Sequence, residues 1–213
     1  MEQTGKVSQV GRKESGFTMI ELMTVVALTA IVVGFAVPSA MRALKDFRLH
    51  SDASSLSSYI NALRMRAASQ YTPYRLDVDP TASTYVIEQL QPVAYNPLGT
   101  AASATYTSFS TASYEMGTQY FSQGVTVSNC LPASISTRPA PVTADPSSCS
   151  GTFQLYFNTR GSPVDNTGSS LSSGGVAVYL TNADGLVDAV TVSAGGAVQT
   201  WNWSVSASEW YAK

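Results

Sequence analysis

Glu21 is the single charged residue between Phe17 and Met41, and it is the group on this chain most in need of a chemical role. From Leu22 to Met41 the chain runs 20 residues without a charge. At about 1.5 Å per residue these span roughly 30 Å, the thickness of one bilayer core. A carboxylate in such a helix costs about 2.5–3.5 kcal/mol at the centre, less near the edge, and usually has a partner. Two readings stand: a carboxylate solvated at the headgroup boundary, or one paired with a cation in the same layer. Upstream, Lys6, Arg12 and Lys13 favour a cytoplasmic N-terminus with the remainder outside. An ordinary secretory signal places its cleavage site after the apolar run. Here the signal-like junction, Gly16/Phe17, lies before it, so a cut there removes residues 1–16 and leaves the apolar helix on the mature chain.

The other reactive residue types do not converge on a catalyst. His50 is the sole histidine and stands beside Arg48 and Asp52, where a lone helix-surface imidazole is expected to be solvated. With no second His or Lys near a nucleophile motif, a catalytic triad would need unusual parts. Gly174-Gly175 and Gly195-Gly196 lack the strand-to-helix setting of a phosphate-cradling loop and read as β turns. Asp165, Asp184 and Asp188 could in principle ligate calcium, but their spacing does not match a calcium loop, and Asn182-Ala183-Asp184-Gly185 is more simply a hairpin turn. Trp201 and Trp203 alternate, so both fall on one face of a strand expected at the sheet edge, as core packing or as a binding surface. The residues assign no catalytic group, no cofactor and no metal: this is expected not to be an enzyme.

The elements that carry these residues follow from periodicity. Beyond Met41 the apolar pattern becomes one-sided: Leu49, Ala53, Leu56, Ile60, Leu63 and Ala67 recur at alternating spacings of four and three, the stripe of a helix docked on a sheet. Pro38, with Gly34 before it, weakens the helix and predicts a kink or local opening, against the alternative of a helix that tolerates proline. The helix should end near Gln70. Strands are expected at Tyr74–Val78 and Thr84–Leu90 around an Asp79–Ser83 turn, then at Val125–Ser128 and Phe153–Phe157. Val176–Leu180 and Leu186–Val192 follow, then Ala197–Thr200, while Asn158–Val164 reads as a turn. Residues 91–124 read as a long surface insertion with one short strand of uncertain place. The division is thus 1–16 leader, 17–41 membrane or filament-core helix, 42–70 amphipathic helix half, and 71–213 an extracytoplasmic β-rich head.

Low charge and abundant Ser, Thr, Ala and Gly suit an extracytoplasmic domain. From Ser51 onward six basic and ten acidic residues give a net charge of −4, the opposite of what phosphate binding wants. Cys130 and Cys149 both lie beyond the apolar span. Outside the cytoplasm an even pair suits a disulfide around the Pro-rich segment 132–148, worth roughly 3 kcal/mol by chain entropy; two unpaired thiols are the other reading.

The order of basic leader, Gly16, Phe17, Glu21 and apolar span resembles the type IV prepilin signature. That resemblance implies a membrane prepilin peptidase that cuts after Gly16 and methylates the new amine on Phe17. It also implies that Glu21, four residues on and on the same helix face, meets the Phe amine of a neighbouring subunit during assembly. Pilins commonly carry a helix breaker such as Pro38. Arg48–Gln70 resembles the stretch of GspH/FimT-type minor pseudopilins where the helix leads through a small-residue face into the first strand, and Thr152–Val164 resembles that family's strand followed by an arginine-glycine turn. The implied fold is α+β, a pilin-like lollipop in which one long N-terminal helix packs on a small antiparallel β-sheet domain. The implied role is a structural minor subunit of a type II secretion pseudopilus or a type IV pilus in the bacterial inner membrane, with other pilin or pseudopilin subunits as partners. The alternative is a minor pilin whose head is a binding module for DNA uptake or adhesion, a role that the insertion and its Tyr95, Tyr106, Phe109, Tyr114, Tyr120 and Phe121 could serve. Some FimT-type members bind DNA through an arginine-rich C-terminal motif, but Thr200–Lys213 contains no arginine, which argues against nucleic acid.

Overall fold

The computed structural model describes residues 16–90, 109–110, 117–146, 148–149, 151–171 and 174–213. The expected leader up to residue 15 and most of the insertion, including Tyr95, Tyr106 and Tyr114, lie outside the described residues. The chain divides into two compact units, Met1–Met41 and Arg42–Lys213. One helix, α1 (Met19–Gln70), contributes to both and is continuous through Pro38.

Within the second unit, α1 buries Leu49, Ala53, Leu56, Ile60, Leu63 and Ala67, the stripe read from the spacing. Each leucine or isoleucine in it contributes on the order of 1.5–3 kcal/mol by leaving water. The helix stops where Tyr71 takes a left-handed conformation (φ 51°) ahead of Thr72-Pro73.

Two antiparallel sheets receive that stripe. The first contains β1 (Tyr74–Asp79), β2 (Thr84–Leu90), β3 (Phe109–Ser110), β4 (Gln119–Tyr120), β6 (Phe153–Phe157) and β7 (Pro163–Val164), in the order β3-β2-β1-β6-β7 with β4 also on β2. The second contains β5 (Val125–Ser128), β8 (Gly175–Asn182), β9 (Val187–Ser193), β10 (Val198–Ser204) and β11 (Glu209–Ala212), in the order β11-β10-β9-β8-β5. The β1–β2 hairpin pairs Asp79 with Thr84, and Asp79 Oδ1 accepts from the Thr81 and Ala82 amides (2.8 and 3.0 Å), so the aspartate closes its own turn. Alternation sends Tyr74, Leu76 and Val78 inward. On the opposite face Arg75 pairs with Glu88, whose side chain is only 4% exposed. Burial alone would lower the Arg75 guanidinium, but the hydrogen bond and charge of Glu88 outweigh it and hold it above its ordinary range.

The structure departs from the sequence expectation at several points. The segment Asn158–Val164 is not all turn, because Pro163 and Val164 form β7, paired through Tyr156↔Val164 and Phe157↔Pro163. Proline is admissible there because an edge position needs no donor on its outer side. The strand carrying Trp201 and Trp203 is longer than Ala197–Thr200 and is not the edge: β11 pairs on its far side, Trp203 opposite Trp210. Finally, β8 and β9 are buried on both faces. Val178, Leu180, Val190 and Val192 join the helix-side core, while Ala177, Tyr179, Val187 and Ala189 form a second cluster with Ile135, Val142 and Trp203. The segment after Cys130 therefore covers the face of the second sheet turned away from α1.

Candidate processing and assembly site

Thr18 starts α1. Its side-chain oxygen accepts from the Glu21 amide (3.3 Å) and its carbonyl accepts from the Leu22 amide (3.1 Å), so Thr18 is the N-cap and Glu21 the third helical residue. Thr-x-x-Glu is the sequence form of a capping box, a signal present in residues 18–21 that the membrane argument overlooked. It gives Glu21 a local role: a carboxylate in the first turn faces the positive end of the helix dipole. Among the described residues the carboxylate itself has no hydrogen-bond or ion-pair partner and is exposed, free to receive a cation from elsewhere.

Gly16 and Phe17 precede the cap, outside the helix, and Phe17 is 81% exposed. Among the described residues a side chain at Gly16 would meet nothing within 4 Å. The scissile position expected from the sequence is thus an uncovered, non-helical dipeptide, the form in which a peptidase takes up a substrate backbone. The helix that follows has a window of mean hydropathy 2.4 with none of its residues buried, long and apolar enough to cross a membrane.

The head residues considered for chemistry are each committed to structural partners. His50 is not simply solvated: its Nδ1 donates to Asp188 Oδ2 at 2.6 Å, and Asn202 Nδ2 donates to Asp188 Oδ1 at 2.8 Å. Asp188 is 1% exposed, so these two bonds are what make its burial tolerable. Asp184 pairs with Lys45 at 3.1 Å, and Asn182 Nδ2 donates to Asp46 at 3.0 Å, so the β8–β9 hairpin is tied to α1 by three polar contacts. Asp165 Oδ1 accepts from the amides of Thr167 and Ser169 and from the Thr167 hydroxyl, which holds that carboxyl below its usual range. Trp203 is core, Trp201 Nε1 donates to Thr191 Oγ1 at 2.9 Å, and Trp210 Nε1 donates to the Thr137 carbonyl at 2.8 Å. Of the insertion aromatics, Phe121 is buried in the main core and Tyr120 is 74% exposed.

The arginine-glycine turn also has a packing role. Asn158 Oδ1 accepts from the Arg160 and Ser162 amides (2.9 and 3.0 Å), and Gly161, at φ 71°, presses on α1 so closely that a Cβ would lie 2.7 Å from the Arg64 carbonyl oxygen. Arg64 Nε donates to Gly161 O (3.3 Å), and its guanidinium lies against Gly196 in the β9–β10 turn. One side chain thus touches a turn from each sheet. Cys130 and Cys149 form a disulfide with Cα atoms 5.4 Å apart. A cleft of about 320 Å³ between β6, β8 and the disulfide segment is lined by Val142, Phe153, Leu155, Val176 and Ala177 together with the polar Asn129, Asp145 and Gln154.

These features define a pilin-like α+β fold, a long N-terminal apolar helix whose second half packs on antiparallel sheets. Residues 11–37 match the family described as "Prokaryotic N-terminal methylation motif", which spans Gly16, Phe17 and Glu21. Among curated proteins none matches the chain. Two solved structures of the minor pseudopilin EpsH from the type II secretion system of Vibrio cholerae are similar to it at 11% identity and a TM-score of 0.45. One covers 72% of this chain and 95% of its own, the other 74% and 94%.

Proposed function

We propose that this chain is a minor pilin or pseudopilin subunit, cut between Gly16 and Phe17 by a prepilin peptidase and methylated on the Phe17 amine. Residues 17–41 anchor it in the bacterial inner membrane, N-terminus cytoplasmic and head outside. It is then assembled into a type II secretion pseudopilus or a type IV pilus. The observation that carries this is the N-methylation motif seated on a helix whose cap, Thr18, leaves Gly16–Phe17 outside the helical backbone. Glu21 supports the assembly step: its carboxylate is unpartnered among the described residues, and an amine freed at Phe17 on a neighbouring subunit is the cation that would offset its cost in lipid. Any kink at Pro38 would serve the same step by letting the helix adjust as it leaves the bilayer. The test is the mass and N-terminal sequence of the chain from membranes of a cell with the peptidase. An N-methylated Phe17 is expected; retention of residues 1–16, or a cut after the apolar span, refutes the proposal.

A further inference from the structure

We infer that the cleft between β6 and β8 is a strand-binding site, taking an extended segment of another protein in which apolar residues alternate and basic residues flank them. In the β6–β7 hairpin the Asn158 amide donates to the Ser162 carbonyl, and Tyr156 stands opposite Val164. Backbone groups alternate sides along an antiparallel strand, so Asn158, Tyr156 and Gln154 all direct N–H and C=O toward β7. β7 stops at Val164, and the Asp165 carboxylate then gathers the Thr167 and Ser169 amides into a turn. Gln154 therefore presents its outward pair past the end of β7. β8 does the same from the other wall. The Asn182 amide donates to the Leu186 carbonyl, so the even-numbered residues of β8 bond β9 and the odd-numbered ones face β5. β5 reaches only as far as Ser128 opposite Tyr179, which leaves Ala177 beyond its end. Among the described residues neither Gln154 nor Ala177 has a backbone partner on that side. Both line the same cleft of about 320 Å³. Ala177 is buried, where an unpaired backbone group is costly, so a ligand strand has most to gain there.

An extended chain suits these edges because its own backbone supplies alternating donors and acceptors. Phe153, Leu155 and Val176 offer apolar surface to every second side chain of such a segment. A neighbouring cleft of about 240 Å³ shares Gln154, Leu155 and Val176 and continues to Pro163 and Asp165, which lengthens the track. Asp145 lines one cleft and Asp165 the other, and among the described residues no basic side chain lines either. Asp145 already pairs with Arg138. Asp165, held below the usual carboxylate range by the Thr167 hydroxyl and the Ser169 amide, is thus the charge that selects a lysine or arginine on the partner.

The inference stands apart from the cleavage and assembly roles. The experiment is amide hydrogen exchange of the full chain in detergent, read residue by residue by NMR, with three synthetic hexapeptides. One is Lys-Val-Thr-Val-Thr-Lys, the second has glutamate at both ends, and the third has proline in place of the second valine. In the free chain the Gln154 and Ala177 amides should exchange fast. The basic peptide should slow both, saturably. The acidic peptide should bind about fivefold more weakly, and the proline peptide, short of a donor, about tenfold more weakly. Asp165→Asn, which keeps the Oδ1 acceptor of its turn, should cut the preference for the basic peptide to about twofold. Gln154→Pro removes an N–H that neither β1 nor β7 uses and should weaken the basic peptide about tenfold. Should that variant misfold, the Asp165→Asn comparison still decides. No protection at millimolar peptide, equal binding of all three peptides, or an undiminished preference in Asp165→Asn would each overturn the inference. So would slow exchange of both amides in the free chain, because the cleft would then be filled by the chain itself.

Discussion

Replacing Gly161 by alanine should be among the most damaging single-methyl changes in the head. Two separate costs add. At φ 71° a Cβ strains the backbone by about 1–2 kcal/mol. The added methyl also lies 2.7 Å from the Arg64 carbonyl oxygen and 3.6 Å from Ala68 Cβ, and neither is a flexible tip that can swing aside. The turn must lift from α1, for which overpacking precedents suggest about 1–3 kcal/mol. The sum is about 2–5 kcal/mol, or roughly 4–20 °C in midpoint for a domain of this size. Gly185→Ala is the internal control, with φ 82° but no atom within 4 Å of the new Cβ, so only the strain of about 1–2 kcal/mol applies. Urea titrations of both variants, followed by tryptophan emission, give the difference directly. If the two lose the same stability, the close approach of the turn to α1 contributes nothing and the account of Gly161 is wrong.

Other outcomes are equally open to measurement. Glu21→Ala should be cleaved normally yet enter filaments poorly, and unchanged incorporation would remove the proposed pairing with the Phe17 amine. Alkali should destabilise the head in a defined window. Burial, helped by the charges of Tyr59 and Asp52, pushes Tyr85 up to about 12, and burial pushes Tyr179 up as well, Asp145 adding to it and Arg138 opposing. An unfolded phenol ionises near pH 10 while these hold their protons, so the unfolded chain binds fewer protons and stability falls by about 1.4 kcal/mol per pH unit per tyrosine above pH 10. Tyr85→Phe should flatten that slope, and a wild-type stability constant to pH 12 would contradict the burial argument.

Local signals were legible wherever one face of an element met one core. The α1 stripe from Leu49 to Ala67, the Asp79 turn and the Asn182–Gly185 hairpin were all visible because spacing and turn chemistry act over a few residues. The N-terminal methylation motif across residues 11–37, which holds Gly16, Phe17 and Glu21, is likewise linear and so readable from the sequence. What escaped was set by contacts distant in sequence. β7 exists because two residues reach Tyr156 and Phe157, and no pattern of length two could announce it. The His50–Asp188–Asn202 group joins α1 to two strands, so His50 read as solvated. The second aromatic cluster was hidden because its cover, held by Ile135 and Val142, comes from a segment without strand character.

The alternating four-and-three spacing of the α1 stripe constrains how this gene can change. Inserting or deleting one residue between Leu49 and Ala67 would rotate every position beyond it by about 100°, carrying a leucine or isoleucine out of the core and a serine or arginine in. Seven residues, two turns, restore the angle to within about 20°. Letters on the outward faces of this half-helix are therefore exchangeable one at a time, but its length is not. In-frame insertions and deletions should survive here only in steps near whole turns.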